Sequence, residues 1–405
     1  MGARGESWVA GAAGPWGLDH LPYGVVAVPG RPPLPSVRIG DFALPLASLA
    51  CLGTVALDGW ATAPDLSALM AAGPATWSAV RAALIDALAI DSPARAALEP
   101  ELIDLGEAAL RLPFAIADYV GFYSSLEHAT NLGRIFRPGA PPLGENWRHL
   151  PIGYHGRAGT VVVSGTPVRR PRGQRPTFGP TLELDYELEV GFVVGTPSEH
   201  GVPLEIADAE AHLFGAVLLN DWSARDLQRW EYRPLGPFLG KSFATSISAW
   251  VTPMAALVNA RVDGPVQDPA PLPYLAQSEP RGFALDLRIE LQSAAMARAG
   301  LDPVLVAQTS LTSLYWSPAQ QLAHLTVNGA SLRTGDLHAT GTISQAGEDR
   351  VGSLIERTWA GKRPLELPDG TARSFLEDGD TVTLSAISPD GSIALGAVSG
   401  TVVAA

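Results

Sequence analysis

Asn220–Lys241 reads NDWSARDLQRWEYRPLGPFLGK, and the fold turns on how this stretch is interpreted. The residues before it, Leu213–Leu219, form an apolar run of strand length that breaks abruptly at Asn220-Asp221. Beyond the break the spacing becomes helical. Asp221, Arg225, Gln228 and Tyr232 recur at intervals of four, three and four, which puts them on one face of a helix. Lys241 returns at the end of a Pro- and Gly-rich loop. A carboxylate, a guanidinium, an amide and a phenol converging beside a buried strand suit a catalytic or ligand-binding cleft. A solvated helix face with ordinary salt bridges is the competing reading.

The 405 residues suit two domains, or one large domain with an N-terminal module, and an apolar content of 46% allows a sizeable core. A net charge of −13 argues against nucleic acid or an anionic membrane surface as the main partner. Val168–Arg175 (VRRPRGQR) is a local basic patch, either a surface feature or an aid in attracting an anionic substrate. Cys51 is the one cysteine and lies in an apolar run, so it is expected to be a small buried residue with no disulfide, metal or redox role. The start lacks the apolar core of a signal peptide, Glu6 breaks the myristoylation pattern, and no stretch is long and apolar enough to span a bilayer. A soluble cytoplasmic protein is the expectation.

Residues 1–112 read as an N-terminal module. Short strand-like runs at Val25–Pro29, Ser36–Ile39 and Phe42–Leu44 suit a small barrel, followed by an amphipathic helix over Trp77–Leu88 and more helix within Ser92–Arg111. Residues 113–405 carry almost all the chemistry. Strands are expected at Thr160–Ser164 and within Leu182–Val194, and a hairpin at Thr381–Ala386 and Ile393–Val398 through Pro389-Asp390-Gly391. The fold class is mainly β (α+β).

Glu187 and Glu189 lie two apart on an expected strand and so share a face, opposite Tyr186, Leu188 and Val190. Paired carboxylates repel unless a cation or protons neutralise them, and a hard divalent ion, Mg²⁺ or Ca²⁺, does so with oxygen ligands. Asp221 supplies a third carboxylate. An edge strand with both glutamates in water is the alternative. Ser124-x-x-Glu127 fits a capping box, which would put His128 in the first turn of a helix. The helix's positive end there favours the neutral imidazole that a general base requires; a structural histidine is the alternative. Gly153 and Gly156 allow close backbone approach to a ligand, Tyr154 and Arg157 suit an anion, and Arg137 suits a carboxylate.

FYSSLEHATN, NWRHLPIGYHGRAGTVVVSGTPVRRPRGQ, LDYELEVGF, the Asn220–Phe243 block, VNGASLRTGDLHATGTIS and GSLIERTW, in this order, resemble the fumarylacetoacetate hydrolase family in its full-length type. The resemblance implies a small SH3-like N-terminal barrel, a large mixed β-sandwich roll and a homodimer. It implies hydrolysis of a carbon–carbon bond in a β-diketone acid, giving fumarate and acetoacetate in tyrosine breakdown. On this resemblance His128 is the base that activates water and Glu356 orients it. Glu187, Glu189 and Asp221 hold the divalent ion, with Lys241, Ala244 and Thr245 in the loop that completes its site. Arg225, Gln228 and Lys241 stabilise the oxyanion and the departing carbanion, while Tyr123, Arg137, Tyr154, Tyr232 and Thr342 contact substrate.

One departure stands out. The family pattern carries a metal-ligating Asp where this chain has Gly121, and Asp118 matches a different position. Three accounts are open: water fills the place, Glu127 or another carboxylate reaches in, or the chain is a paralogue that isomerises, decarboxylates or condenses a diketone. A binding scaffold without turnover is a further alternative. Ala244 in place of the family's Gly is a milder change.

Overall fold

The computed structural model describes residues 5–53 and 59–405, so the Met-Gly start of the chain lies outside the described residues. A sheet of 13 strands forms the centre. Its main path runs Ile103–Asp104, Phe42–Pro45, Leu34–Ile39, Tyr23–Ala27, Trp250–Pro253, Leu213–Asp221, Leu188–Val194, Asp336–Ala339, Asp118–Phe122 and Gly153–His155. A second sheet of five strands contains Val304–Ser310, Asp286–Gln292, Thr381–Ile387, Ala394–Val403 and Val168–Arg169.

The apolar run Leu213–Leu219 has no polar alternation because its strand is covered on both faces. Val190, Phe192, Ala216 and Leu218 pack with Leu287, Ile289, Val382 and Leu384 of the second sheet. Val193, Val217, Leu219 and Leu337 face the other way, onto Val25, Val37, Leu84 and Leu88 from the N-terminal part. Period-2 alternation therefore sorts one strand between two cores. The N-terminal strands also join the central sheet directly, Tyr23 pairing with Val251 and Gly24 with Trp250. Gly24 is needed at that crossing, because a Cβ there would meet the Trp250 ring at 2.5 Å.

Several expectations need correction. The helix before Leu88 begins at Gly73, and Ser92–Arg111 contains only the short helix Arg95–Leu98 with 3-10 turns and two-residue strands. Cys51 is exposed rather than buried, since the 3-10 helix Leu46–Leu52 turns Leu46 and Leu49 inward and leaves Cys51 on its outer side. The basic patch is tied into the surface, with Arg170 bound to Asp378 and Arg175 to Asp226. Gly156 admits the ring of Tyr119, which a Cβ would meet at 2.1 Å, and so serves packing instead of ligand approach. No helix among the described residues is long and apolar enough to cross a membrane.

Two histidines are buried in this fold in their neutral form. Burial lowers His20 and His338 from 6.5 to about 3, and nearby Arg81 and Arg38 add to the effect at His20. Among the described residues neither ring nitrogen of His338 has a hydrogen-bond partner, and the ring packs against Phe122 and Phe192. The folded state binds these protons more weakly than the unfolded chain. Their contribution to stability is therefore complete above pH 6.5 and falls as pH drops towards 3, by about 1.4 kcal/mol per pH unit for each. His338→Leu is expected to raise stability at pH 7, since it removes an unpaired buried polar group. It should also flatten the acid loss of stability between pH 6.5 and 5, measured by urea unfolding. An unchanged acid slope would show that His338 is not a source of it.

Candidate functional site

The site forms where the central sheet stops. Asp221 is the last residue of Leu213–Asp221, and the helix Arg225–Glu231 starts after a corner at Ser223-Ala224. Asp221 therefore does not share a helical face with Arg225, Gln228 and Tyr232; it ends the strand, and the other three lie beyond the corner at a cavity. That cavity has a volume of about 620 Å³, and Arg225, Gln228, Tyr232 and Lys241 line it together with Tyr123, His128, Arg137, Tyr154, Glu187, Glu189 and Thr342.

Glu187, Glu189 and Asp221 are all buried, and one oxygen from each lies within 4.8 Å of the others. The reading in which both glutamates face water is thereby overturned. Lys241 Nζ reaches Glu187 Oε2 and donates to Asp221 Oδ2 at 2.9 Å. Arg225 sits between Glu187 Oε1 (2.7 Å) and Asp185 Oδ2 (2.8 Å). Glu189 has no such partner among the described residues and accepts a backbone N–H from Gly341 at 3.0 Å. The charges divide accordingly. Burial resists ionisation of Glu187, but Lys241, Arg225 and His128 outweigh it and hold the carboxyl well below the usual range. Burial, then the charges of Asp221 and Glu187, push Glu189 well above that range. Asp221 is raised by burial despite Lys241. The cluster is thus short of positive charge, and Asp221 Oδ1 is buried without a partner. An all-oxygen donor set with an orphaned carboxylate oxygen fits a hard divalent cation.

His128 lies in the first turn of the helix Leu126–Phe136 as expected, but Ser125, not Ser124, caps that helix, accepting from His128 N at 3.5 Å. Ser124 Oγ instead accepts from Gln321 Nε2. The His128 ring is held at one nitrogen, Nδ1 lying 2.7 Å from Glu356 Oε2. A carboxylate only accepts, so Nδ1 donates to it, and Nε2 lies 3.8 Å from Glu187 Oε1. Glu356 also receives Asn131 Nδ2 at 3.0 Å, Ser344 Oγ at 3.0 Å and Ser353 Oγ at 2.6 Å. Burial opposes its ionisation, yet His128 and these donors hold it below the ordinary range. Tyr123 packs edge-on to the imidazole at 5.4 Å and shields it.

Arg137 lines the cavity with one guanidinium nitrogen committed to Pro142 O at 2.8 Å. Thr342 Oγ1 lines the cavity and is buried without a partner among the described residues. Thr245 pairs with Asp221 across two strands, and Ala244 is buried beside it. Glu127 is not among the carboxylates of the cluster. At Gly121 the space is taken by a side chain, since a Cβ there would meet the Tyr154 ring at 2.5 Å.

Sequence reasoning missed Asp185. Its Oδ1 accepts the backbone N–H of Tyr186 and of Leu354, each at 2.8 Å. Its Oδ2 accepts Arg225 Nε at 2.8 Å and Ile355 N at 3.1 Å. Ser353, the residue before the helix Leu354–Arg357, makes no side-chain cap, and Asp185 caps the helix from a distant strand instead. One carboxylate thus anchors both Arg225 and the helix that bears Glu356. The available signal was a third acid in LDYELE, two residues before Glu187.

The comparisons with known proteins agree with this picture. Residues 119–403 match the family model described as fumarylacetoacetate (FAA) hydrolase C-terminal, and residues 19–113 match fumarylacetoacetase N-terminal. The fumarylacetoacetase of Homo sapiens is 44% identical over 385 residues, 91% of each chain. That of Oryza sativa subsp. japonica is 42% identical over 389 residues, 91% of this chain and 90% of the relative. Among solved structures, a fumarylacetoacetate hydrolase from psychrophilic Exiguobacterium antarcticum shares the fold, with a TM-score of 0.54 at 16% identity over 95% of this chain and 100% of that one. The chain belongs to the fumarylacetoacetate hydrolase family.

Asp185→Asn replaces an acceptor with a donor and leaves Arg225 half-neutralised in the interior. The expected loss is about 3–5 kcal/mol of stability, the usual cost of breaking a buried ion pair from one side. Urea unfolding measures it, and a loss below about 1 kcal/mol would show that Asp185 is not an anchor.

Proposed function

We propose that this protein hydrolyses the carbon–carbon bond of a β-diketone acid, fumarylacetoacetate or a close acyl-acetoacetate relative, giving two carboxylic acid fragments. The observation that carries this reading is the histidine with one nitrogen bonded to Glu356 and the other 3.8 Å from Glu187 of a three-carboxylate cluster, at a cavity lined by His128, Glu187 and Glu189. Relatives named fumarylacetoacetase, 42–44% identical over nine-tenths of the chain, support the substrate class.

Glu187, Glu189 and Asp221 would hold the divalent ion, Mg²⁺ or Ca²⁺, which when bound supplies Lewis-acid polarisation of the diketone oxygens. His128 Nε2 takes a proton from water, with Glu356 fixing the tautomer and offsetting the imidazolium charge that develops. Hydroxide adds to the carbonyl carbon next to the bond that breaks. Arg225, Gln228 and Lys241 stabilise the oxyanion and then the carbanion of the leaving fragment, which needs such help because carbon is a poor leaving group, and the carbanion takes up the proton that His128 Nε2 removed from water. Arg137, Tyr123, Tyr232 and Thr342 hold the substrate's polar ends. A location in the cytoplasm is supported by a chain built without disulfides, its one cysteine free and exposed, and a place in tyrosine and phenylalanine breakdown follows from the substrate.

We further propose a homodimer. Phe178, Leu182 and Trp230 are exposed, and their hairpin and helix are joined through Arg175–Asp226, so they offer apolar surface on one side of the molecule. Trp230→Glu is expected to shift the sedimentation coefficient from dimer to monomer. A monomeric native protein would rule the dimer out.

The test of function is turnover of fumarylacetoacetate with Mg²⁺ or Ca²⁺, followed by loss of the diketone absorbance and by identification of fumarate and acetoacetate. Chelation should abolish turnover, and His128→Ala should lower it about 10²–10⁴-fold without unfolding the chain. A single product of unchanged carbon count would overturn hydrolysis in favour of isomerisation. Full activity in His128→Ala would remove it as the base.

A further inference from the structure

Gly121 lies in the strand Asp118–Phe122, directly opposite Tyr154 on the antiparallel strand Gly153–His155. Its backbone is extended and has no positive φ that would call for glycine. Space is the reason instead. A Cβ at Gly121 would meet Tyr154 Cε1 at 2.5 Å, Cζ at 2.8 Å and the hydroxyl at 3.0 Å. The phenol lies across the bare Cα, and from there its hydroxyl donates to Asp221 Oδ2. Lys241 Nζ donates to the same oxygen at 2.9 Å. Oδ2 is therefore doubly engaged, while Oδ1 is buried and has no partner. Two donors on one oxygen restrain the carboxylate and leave Oδ1 as the oxygen available to ligate, in a residue that forms an acidic cluster with Glu187 and Glu189.

The geometry points to Gly121 and Tyr154 as a single positioning device for the ion site, in which the missing side chain at 121 admits the phenol that aims Asp221 Oδ1 at a divalent cation. Groups that donate to a ligating carboxylate fix its orientation, and their loss typically weakens metal binding 10–100-fold. This account rests on the metal reading above and deepens it. Gly121 is then more than a lost ligand: the shell keeps three carboxylates, and the orientation of one of them is set by a phenol. Any side chain at 121 has to displace the ring, so an added ligand there comes at the expense of the Tyr154 bond.

Binding of Ca²⁺ and of Mn²⁺ to the full chain, by calorimetry and by the Mn²⁺ electron-spin signal, tests this without reference to turnover. Tyr154→Phe keeps the ring and removes only the hydroxyl, and should weaken affinity about 10-fold or more. Gly121→Ala should weaken it similarly by expelling the ring, and the double variant should be no worse than either single one. Thermal midpoints close to that of the native chain confirm that the variants fold. Unchanged or tighter binding in Tyr154→Phe, or additive losses in the double variant, overturns the device. Glu189→Ala separates the two claims. Native binding that Glu189→Ala abolishes but Tyr154→Phe spares defeats this inference alone. A native chain that binds neither ion, or binding indifferent to Glu189→Ala, defeats the metal reading and the device with it.

Discussion

Three carboxylates confined within 4.8 Å of one another in the interior are the constraint around which the structure is organised. At an effective dielectric near 20, each such pair costs about 3–4 kcal/mol. Burial adds to that cost, which the fold offsets with two buried cations. Their distribution is uneven: Lys241 serves Glu187 and Asp221, Arg225 serves Glu187 and Asp185, and among the described residues Glu189 receives only a backbone N–H. The interior thus neutralises enough charge for the chain to fold and leaves a deficit at one corner that an incoming cation can fill. A cluster neutralised in full by its own side chains would have no affinity for an ion.

The scaffold that tolerates this is a sheet covered on both faces. One core lies against the second sheet, the other against the N-terminal strands and the helix Gly73–Leu88. Covering the second face is the physical task of the N-terminal part, which Tyr23–Ala27 ties to the sheet by pairing with Trp250–Pro253. With both faces committed to packing, polar chemistry is left to the strand ends and the loops beyond them. Asp221, Lys241 and Gly341 occupy such positions.

Much of this was legible in the sequence, because strand and core follow from apolar runs and turns, and the site residues are polar groups where a core has no use for them. What was misread failed for local reasons. Asp221 fitted a helical spacing that in fact crosses a corner between strand and helix. Ser124 and Ser125 are both plausible caps, and only the backbone geometry at Ser125 (φ −93°, ψ 119°) decides between them. Cys51 sits in an apolar run whose inward side is set by a 3-10 turn that periodicity does not reveal. Asp185 was hidden because its partners at 354 and 355 are backbone groups some 170 residues away, where side-chain identity carries no signal. The contact of Gly121 with Tyr154 depends on strand register alone.

Register, in turn, is what ties stability to chemistry in this molecule. His128 and Glu356 are 228 residues apart in sequence, and Ser125 and Ser344 are 219 apart, so neither pair can form before the sheet closes. Two of the acids are held in part by main-chain groups, Gly341 N donating to Glu189 and Leu354 N to Asp185. Main-chain partners move only when strands move. A slip of one residue between Leu188–Val194 and Leu213–Asp221 would carry Glu189 to the opposite face, into the apolar core, and draw Leu188 or Val190 out of it. The hydrophobic pattern that forbids this slip is therefore also what sets the spacing of the carboxylates, so that the precision of the ion site is inherited from packing and needs few dedicated contacts of its own.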